Sequence, residues 1–490
     1  MELPSVDRVN HSSRPRVVVI GAGFSGIGVA LALRRDGVDV TVLERADDLG
    51  GVWRDNTYPG AACDVPSSLY SYSFAPNPAW PRRYAEGPDI HAYLKRVGAE
   101  VLDRIRFGAD VVAAVFDEAA TVWRVELAGG EVVEADVLVS AVGQLSRPVV
   151  PDLPGAASFR GPAFHSARWE HRHDLRGKRI AVIGTGASAV QFVPRLQPLA
   201  GRLTVFQRTA PHVVPKPDRL YRPWHHRLFR TAPPAQRAGR LGTWLVGELL
   251  TAALTSVQPL GVLVAGLSRL HLRRQVPDPV LRARLVPAHR VGCQRLLFSN
   301  DWYPALAEPN VDLVTEKITE LTPTGVRTAD GVDHEVDVVV YGTGFAATDF
   351  LAPMRIRGRG GRELADEWAG GARAHLGMTV PGFPNFFVLY GPNTNLGGNS
   401  IVYMIESQCE YVRQAVRHLA SVPTVEVRRE VAERFDAETQ DRLARTVWTR
   451  CANWYRDATG RVVTNWPGSV WEYRRRTSRV DHRDFHHGGA

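Results

Sequence analysis

Short runs of β-branched and aliphatic residues recur along the chain, each closed by glycines and followed by a helical period. Arg16-Val17-Val18-Val19-Ile20 is the first. It is apolar without alternation, which predicts a strand buried on both faces of a parallel sheet. Gly21-Ala22-Gly23-Phe24-Ser25-Gly26 follows at once, then a helix through Arg35, then a strand from Asp39 to Leu43 that ends in Glu44. The same order returns downstream. Arg179 to Ile183 predicts a strand, Gly184-Thr185-Gly186-Ala187-Ser188-Ala189 the turn, and a helix runs to Leu196 before a strand from Leu203 to Gln207. A further apolar stretch, Trp244 to Leu267, is long enough to span a bilayer, but Glu248 and Gln258-Pro259 interrupt it. It predicts a buried helical hairpin rather than a transmembrane helix.

The glycine loops carry candidate chemistry because each sits between a strand and a helix. In the first, Gly21 allows a tight turn, Gly23 lets the backbone approach a pyrophosphate, and Gly26 lets helix and strand pack closely. The helix N-terminus offers amide donors and partial positive charge to phosphates. Glu44 stands where an acid accepts hydrogen bonds from a ribose diol and would repel a 2′-phosphate. A chance glycine turn is the plain alternative, and the register of strand, helix and acid speaks against it. In the second loop Gly184, Thr185, Gly186, Ser188 and Ala189 fit GxGxxA, but no acid follows. Gln207-Arg208-Thr209 stands there instead. Arg208 suits a 2′-phosphate, unless it is only a surface arginine. The economical reading is FAD in the first fold and NADPH in the second, with hydride passing between them.

Length and composition bound this picture. The chain has 490 residues, enough for about three structural units. With 44% hydrophobic and 23% charged residues it is an ordinary globular protein, not a disordered or multispanning one. A net charge of +9 over this length suits an anionic ligand without pointing to nucleic acid. Cys63, Cys293, Cys409 and Cys451 lie far apart, and no pair has the spacing of a zinc site or a redox dithiol. A reduced, cytoplasmic setting follows as the default, and no metal is expected. Met1 to Arg14 is polar and lacks the apolar stretch of a signal peptide. Neither the substrate nor the oligomeric state can be read from the sequence.

Two longer segments narrow the chemistry. Gly50-Gly51-Val52-Trp53-Arg54-Asp55-Asn56-Thr57-Tyr58-Pro59-Gly60-Ala61-Ala62-Cys63-Asp64 resembles the long fingerprint of Baeyer–Villiger monooxygenases. Phe159, Gly161, His165 and Trp169 match the family's short fingerprint, FxGxxxHxxxW, although Glu170 departs from the Pro or Asp that usually follows. The related N- and S-oxygenating flavin monooxygenases usually carry Tyr or Phe where Trp169 stands. Asp337 to Phe345 and Gly391 to Ser400 are also similar to family segments, so the resemblance covers nearly the whole chain.

The resemblance implies an α/β protein with two Rossmann-like dinucleotide-binding domains and a helical insert. The FAD domain would be 1–150 plus 346–490, the NADPH domain 151–216 plus 287–345, and the insert 217–286. It implies that a reduced flavin adds dioxygen to give a C4a-peroxyflavin, which converts a ketone to an ester or lactone. Arg295 matches the family's active-site arginine, and Asp64 its anionic partner. The plain alternative for Asp64 is a turn cap. Gln294 stands where the family usually has a lysine for the 2′-phosphate, which weakens the case for NADPH over NADH. Gly51, Trp53 and Asn395 fall on flavin-side segments, though Trp53 would equally suit a core. The Phe159–Trp169 segment reads as a linker that controls domain movement rather than as a chemical site. Trp454, Tyr455, Trp466 and Trp471 fit either a substrate pocket or core, and Arg474-Arg475-Arg476 reads as a solvated basic face. Two other readings stay open: an N- or S-hydroxylating flavin monooxygenase, and an NAD(P)H-dependent flavin reductase without oxygenation. No nucleic-acid partner and no stable membrane insertion are expected.

Overall fold

The computed structural model describes residues 15–255 and 258–487. The polar segment Met1–Arg14 lies outside them. Two five-stranded parallel sheets organise the chain. The first orders Phe386–Val388, Val137–Ser140, Arg16–Ile20, Asp39–Glu44 and Ile105–Phe107. Val17 to Ile20 are all buried, as the unbroken apolar run predicts. Helix α1, Phe24–Arg35, crosses from the first strand to Asp39–Glu44. The second sheet orders Val311–Val314, Arg202–Phe206, Arg179–Ile183, Val338–Tyr341 and Ala163–His165. Helix α2, Ala187–Leu196, makes the matching crossover. The fold is therefore α/β, with the nucleotide-binding topology built twice.

The chain leaves the first sheet after Val137–Ser140, builds the second, and returns to add Phe386–Val388. Between Arg202–Phe206 and Val311–Val314 it forms helices that include α3, Pro233–Thr255, and α4, Gln258–Gln275. After its return, α5, Ile401–His418, packs on α1 so closely that a Cβ on Gly28 would lie 3.2 Å from Cys409 Sγ.

Three expectations need correction. The α3–α4 hairpin forms, but it is not buried. Val246, Leu249, Val262 and Leu263 are 63–71% exposed. Its inner side, with Thr251 and Leu254, is what packs on the body of the protein. The cysteines are not all isolated, because Cys293 and Cys451, 158 residues apart, are joined in a disulfide. Sequence spacing hides such a pair when the fold brings distant loops together. Finally, Arg476 is not simply solvated. It pairs with Glu438 and Glu472, while Arg474 donates to Tyr403 and Arg475 lies over Trp471.

Candidate active site

A cavity of about 1420 Å³ opens at the carboxyl ends of both parallel sheets. That is where open α/β sheets bind ligands, and it exceeds the roughly 300–1,000 Å³ of a single-ligand pocket. Both glycine loops line it, with Glu44, Trp53, Asp64, Arg208, Thr209, Gln294, Arg295 and Asn395.

The first loop separates what the protein needs from what a ligand needs. Gly21 has φ +100° and its Cβ would sit 2.9 Å from Ala141 O. A Cβ on Gly26 would lie 1.8 Å from Gly21 O. Packing alone demands those two glycines. A Cβ on Gly23 would meet nothing nearer than Gly51 Cα at 3.7 Å, and its φ of −87° suits any residue. The protein leaves that space open at the N-terminus of α1, as a closely approaching pyrophosphate requires. Glu44, almost fully buried, accepts from the Ala22 amide at 2.8 Å, the Ala46 amide at 3.1 Å and Arg54 at 3.0 Å. A carboxylate has about four acceptor sites, so one is left for a ribose hydroxyl. These residues fit FAD.

The second loop repeats the logic. Gly184 has φ +111° and no room for a Cβ, which would lie 2.4 Å from Gly342 O. Gly186 has nothing nearer than 4.0 Å. Ala189, in the third glycine's place, is buried against Gly342, where a Cβ would lie 3.3 Å from the alanine methyl. Thr185 donates to the Thr209 carbonyl at 3.1 Å and so fixes the turn that carries Arg208. Arg208 is exposed and forms no ion pair among the described residues. Its guanidinium is free for an anion. Lys317 also lines the cavity, three residues beyond Val314, whose carbonyl accepts from the Gln207 amide. These residues fit NADPH.

At the junction, Arg295 grips Asp64 through Nε at 2.9 Å and Nη2 at 2.8 Å. The two are 231 residues apart in sequence, one following Gly292 and the other closing the long fingerprint. The Asp64 carboxylate holds the Arg295 guanidinium above its ordinary value, against the burial that lowers it. Arg295 makes no other hydrogen bond among the described residues, so three of its five N–H groups remain. Its side chain is one-third exposed, and the exposed part lines the cavity. Behind the pair, burial pulls the Lys216 ammonium down, opposed by Asp218 and Asp64. Tyr455 is pushed up to about 12 by burial, so its phenol stays neutral beside Arg295.

The remaining predicted residues hold the frame. Asn395 is buried, accepting from Tyr390 Oη at 2.8 Å and donating to Asn465 at 2.7 Å. Trp53 is half-buried and donates to Tyr70 at 3.1 Å. The short fingerprint is more than a linker, since Ala163–His165 is the edge strand of the second sheet. Gly161 passes so close to that sheet that a Cβ would lie 2.2 Å from Asp337 O, and Phe159 packs against its other core cluster. Trp169 is buried against Phe164 and Phe192, while His165 Nδ1 accepts from the Ala167 amide. None of these four residues lines the large cavity. Of the C-terminal aromatics, Trp454 lines it, Tyr455 and Trp466 are buried, and Trp471 is exposed.

Sequence reading missed two glutamines. Gln191, on α2, accepts from Tyr58 Oη at 2.9 Å and from the Ala62 amide, and donates back to the Ala62 carbonyl. It ties the second glycine fold to the loop that leads into Asp64. Its spacing from Ser188, three residues on one helix face, was the only available signal. Gln144 donates to the Tyr390 and Gly391 carbonyls, and its buried Oε1 beside the cavity has no partner.

Comparison with known proteins agrees with this geometry. The family described as "Pyridine nucleotide-disulphide oxidoreductase" matches residues 2–59 and 15–223. A Baeyer–Villiger monooxygenase of Streptomyces coelicolor is 45% identical over 96% of this chain and 92% of its own length. Cyclohexanone monooxygenase from Rhodococcus sp. Phi1 bound to NADP+ superposes with a TM-score of 0.87 at 29% identity, covering 98% of this chain and all of that one. OTEMO in complex with FAD and NADP superposes with a TM-score of 0.86 at 29% identity, over 95% and 98%. The chain belongs to the Baeyer–Villiger monooxygenase family.

Proposed function

We propose that this protein binds FAD and NADPH and inserts one oxygen atom of dioxygen beside a ketone carbonyl, giving an ester or lactone. FAD takes the cradle of Gly21, Gly23, Gly26 and Glu44, in a domain of 1–150 and 346–490. NADPH takes the cradle of Gly184, Gly186 and Arg208, in a domain of 151–216 and 287–345, with 217–286 as the helical insert. When bound, the cofactors supply two electrons to dioxygen, so that one oxygen enters a carbon–carbon bond of the ketone and the other leaves as water. Ketone, dioxygen, NADPH and a proton thus balance ester, water and NADP+.

The chain's own part is electrostatic. Negative charge develops on the substrate's carbonyl oxygen as the oxygen atom is delivered, and a preorganised cation stabilises it best. Arg295 is permanently charged and donates in a planar fork. Asp64 fixes that fork by two N–H groups and leaves the others to the cavity. It also keeps the partly buried charge paired. Asn395 and Tyr390 hold the flavin-side loop, and Gln191 keeps the two nucleotide folds in register.

The observation that carries this reading is the bidentate Arg295–Asp64 pair at the junction of two glycine-lined cradles. The test is to purify the yellow holoenzyme and supply cyclic, linear and aryl ketones and a thioether with NADPH, identifying products. Ester or lactone formation supports the proposal. Sulfoxide alone, or NADPH oxidation yielding only hydrogen peroxide, would replace it with the N/S-oxygenating or reductase reading. A cytoplasmic location belongs to the same proposal. It stands against the Cys293–Cys451 bond, which reducing compartments disfavour.

A further inference from the structure

The α3–α4 hairpin presents apolar side chains to solvent on both of its helices. On α3 they are Leu241, Leu245, Val246 and Leu249, spaced to share one helix face, and on α4 Val262, Leu263, Leu267 and Leu270 do the same. Contiguous exposed apolar surface of this kind marks an interaction site. Neither helix alone is long and apolar enough to cross a bilayer, and the pair turns through 100° at its break.

Charge identifies what would cover it. Residues 222–275 contain eight arginines, no lysine and a single acid, Glu248. That acid is turned inward, accepting from Asn399 Nδ2 at 2.8 Å and the Val470 amide at 3.1 Å. Arg240 also faces the protein, donating to the Ser68 and Ser71 carbonyls at 2.8 Å. Arg227, Arg230, Arg237, Arg269, Arg273 and Arg274 are exposed, and none forms a salt bridge with a described residue. A second copy of this surface would bring one arginine cluster against another. Leucine and valine rimmed by arginine instead match the interface of an anionic bilayer, with acyl chains below and phosphate headgroups at the rim.

We propose that the hairpin docks the enzyme peripherally on anionic lipid, lying in the interface rather than spanning it. The exposed side chains of both helices lie outside the cavity lining, so replacing them leaves the active site in place.

The test uses the full-length holoenzyme in co-sedimentation with two kinds of vesicle. One is phosphatidylcholine alone, and the other carries about one third phosphatidylglycerol. Binding to the anionic vesicles, released by salt, is expected. Arg269→Gln, Arg273→Gln and Arg274→Gln together should weaken it by about a hundredfold, at roughly fivefold for each positive charge lost near the surface. Leu245→Glu with Leu263→Glu should also abolish it. Both variants should keep their flavin and their NADPH oxidation in solution. The proposal is overturned if the wild-type protein ignores anionic vesicles, or if the folded, yellow variants bind them as well as it does. It is equally overturned if the leucine variant merely converts a dimer to a monomer in sedimentation velocity, which would make a second copy the occupant.

Discussion

Replacing Arg295 separates an electrostatic role from a structural one. Arg295→Ala removes the two charge-assisted bonds to Asp64, at 2.8 and 2.9 Å, and the N–H groups that face the cavity. Removing one preorganised donor from a charge-stabilising site slows such reactions by roughly 10²–10³, or about 3–4 kcal/mol. Here the whole cation goes and the Asp64 carboxylate is left without its partner at the cavity wall, so the upper end is expected, about 10³-fold. Arg295→Lys keeps a charge but not the fork, since an ammonium cannot grip both carboxylate oxygens in the same plane. An intermediate loss of about 10–10² is expected. The assay is ester formation at saturating ketone and NADPH, run beside thioether oxidation and flavin reduction by NADPH. Ketone oxygenation should fall far more than sulfoxidation, because a nucleophilic sulfur builds up no carbonyl oxyanion. Ester formation at the wild-type rate by a flavin-loaded Arg295→Ala enzyme would refute the role. Equal loss of both activities would mean that Arg295 only holds the fold.

Three other predictions rest on separate features. Gly23→Ala meets nothing in the protein within 3.7 Å, so melting of the apoprotein should hold while flavin absorbance per protein is lost; full flavin content would contradict the cradle. Gln294→Lys should raise, and Arg208→Ala lower by about tenfold or more, the NADPH-over-NADH ratio of kcat/KM, as charge-assisted bonds to a 2′-phosphate require. An unchanged ratio in both would move the 2′-phosphate elsewhere. Burial pushes the His375 imidazole down to about 4, with Arg434 and Arg476 adding to the effect. The folded chain therefore keeps it neutral while the unfolded chain protonates it below its ordinary 6.5. Stability from this group is complete above pH 6.5 and falls as pH drops towards 4, by on the order of 2 kcal/mol at pH 5. The melting temperature of His375→Leu should fall less steeply over that range than the wild type's, and parallel curves would contradict it.

The sequence made legible whatever local spacing enforces. Gly21 and Gly26 are demanded by backbone contacts within one turn, and the buried strands announce themselves by unbroken β-branched runs. Glu44 and Arg208 followed from strand ends. The Arg295–Asp64 pair came through family resemblance alone, because nothing local links residues 231 apart. What stayed hidden depends on tertiary neighbours. Gln191 is an ordinary helix residue until Tyr58 and Ala62 are brought to it. Lys216 gains its setting from Asp64 and Asp218. Cys293 and Cys451 meet only because two distant loops converge. The α3–α4 pattern predicts two apolar helices, which form, but not that their outer sides face solvent, since periodicity reports apolarity but not what covers it.

Two adjoining nucleotide cradles and one fixed guanidinium are proposed to deliver a single oxygen atom of dioxygen to a ketone. Heavy-isotope dioxygen tests it most directly, with NADPH consumption followed beside mass spectrometry of the product. One labelled oxygen per ester is expected, placed between carbonyl carbon and migrated carbon, with one NADPH consumed per ester in a well-coupled turnover. Unlabelled ester, or label recovered only as hydrogen peroxide, would contradict it.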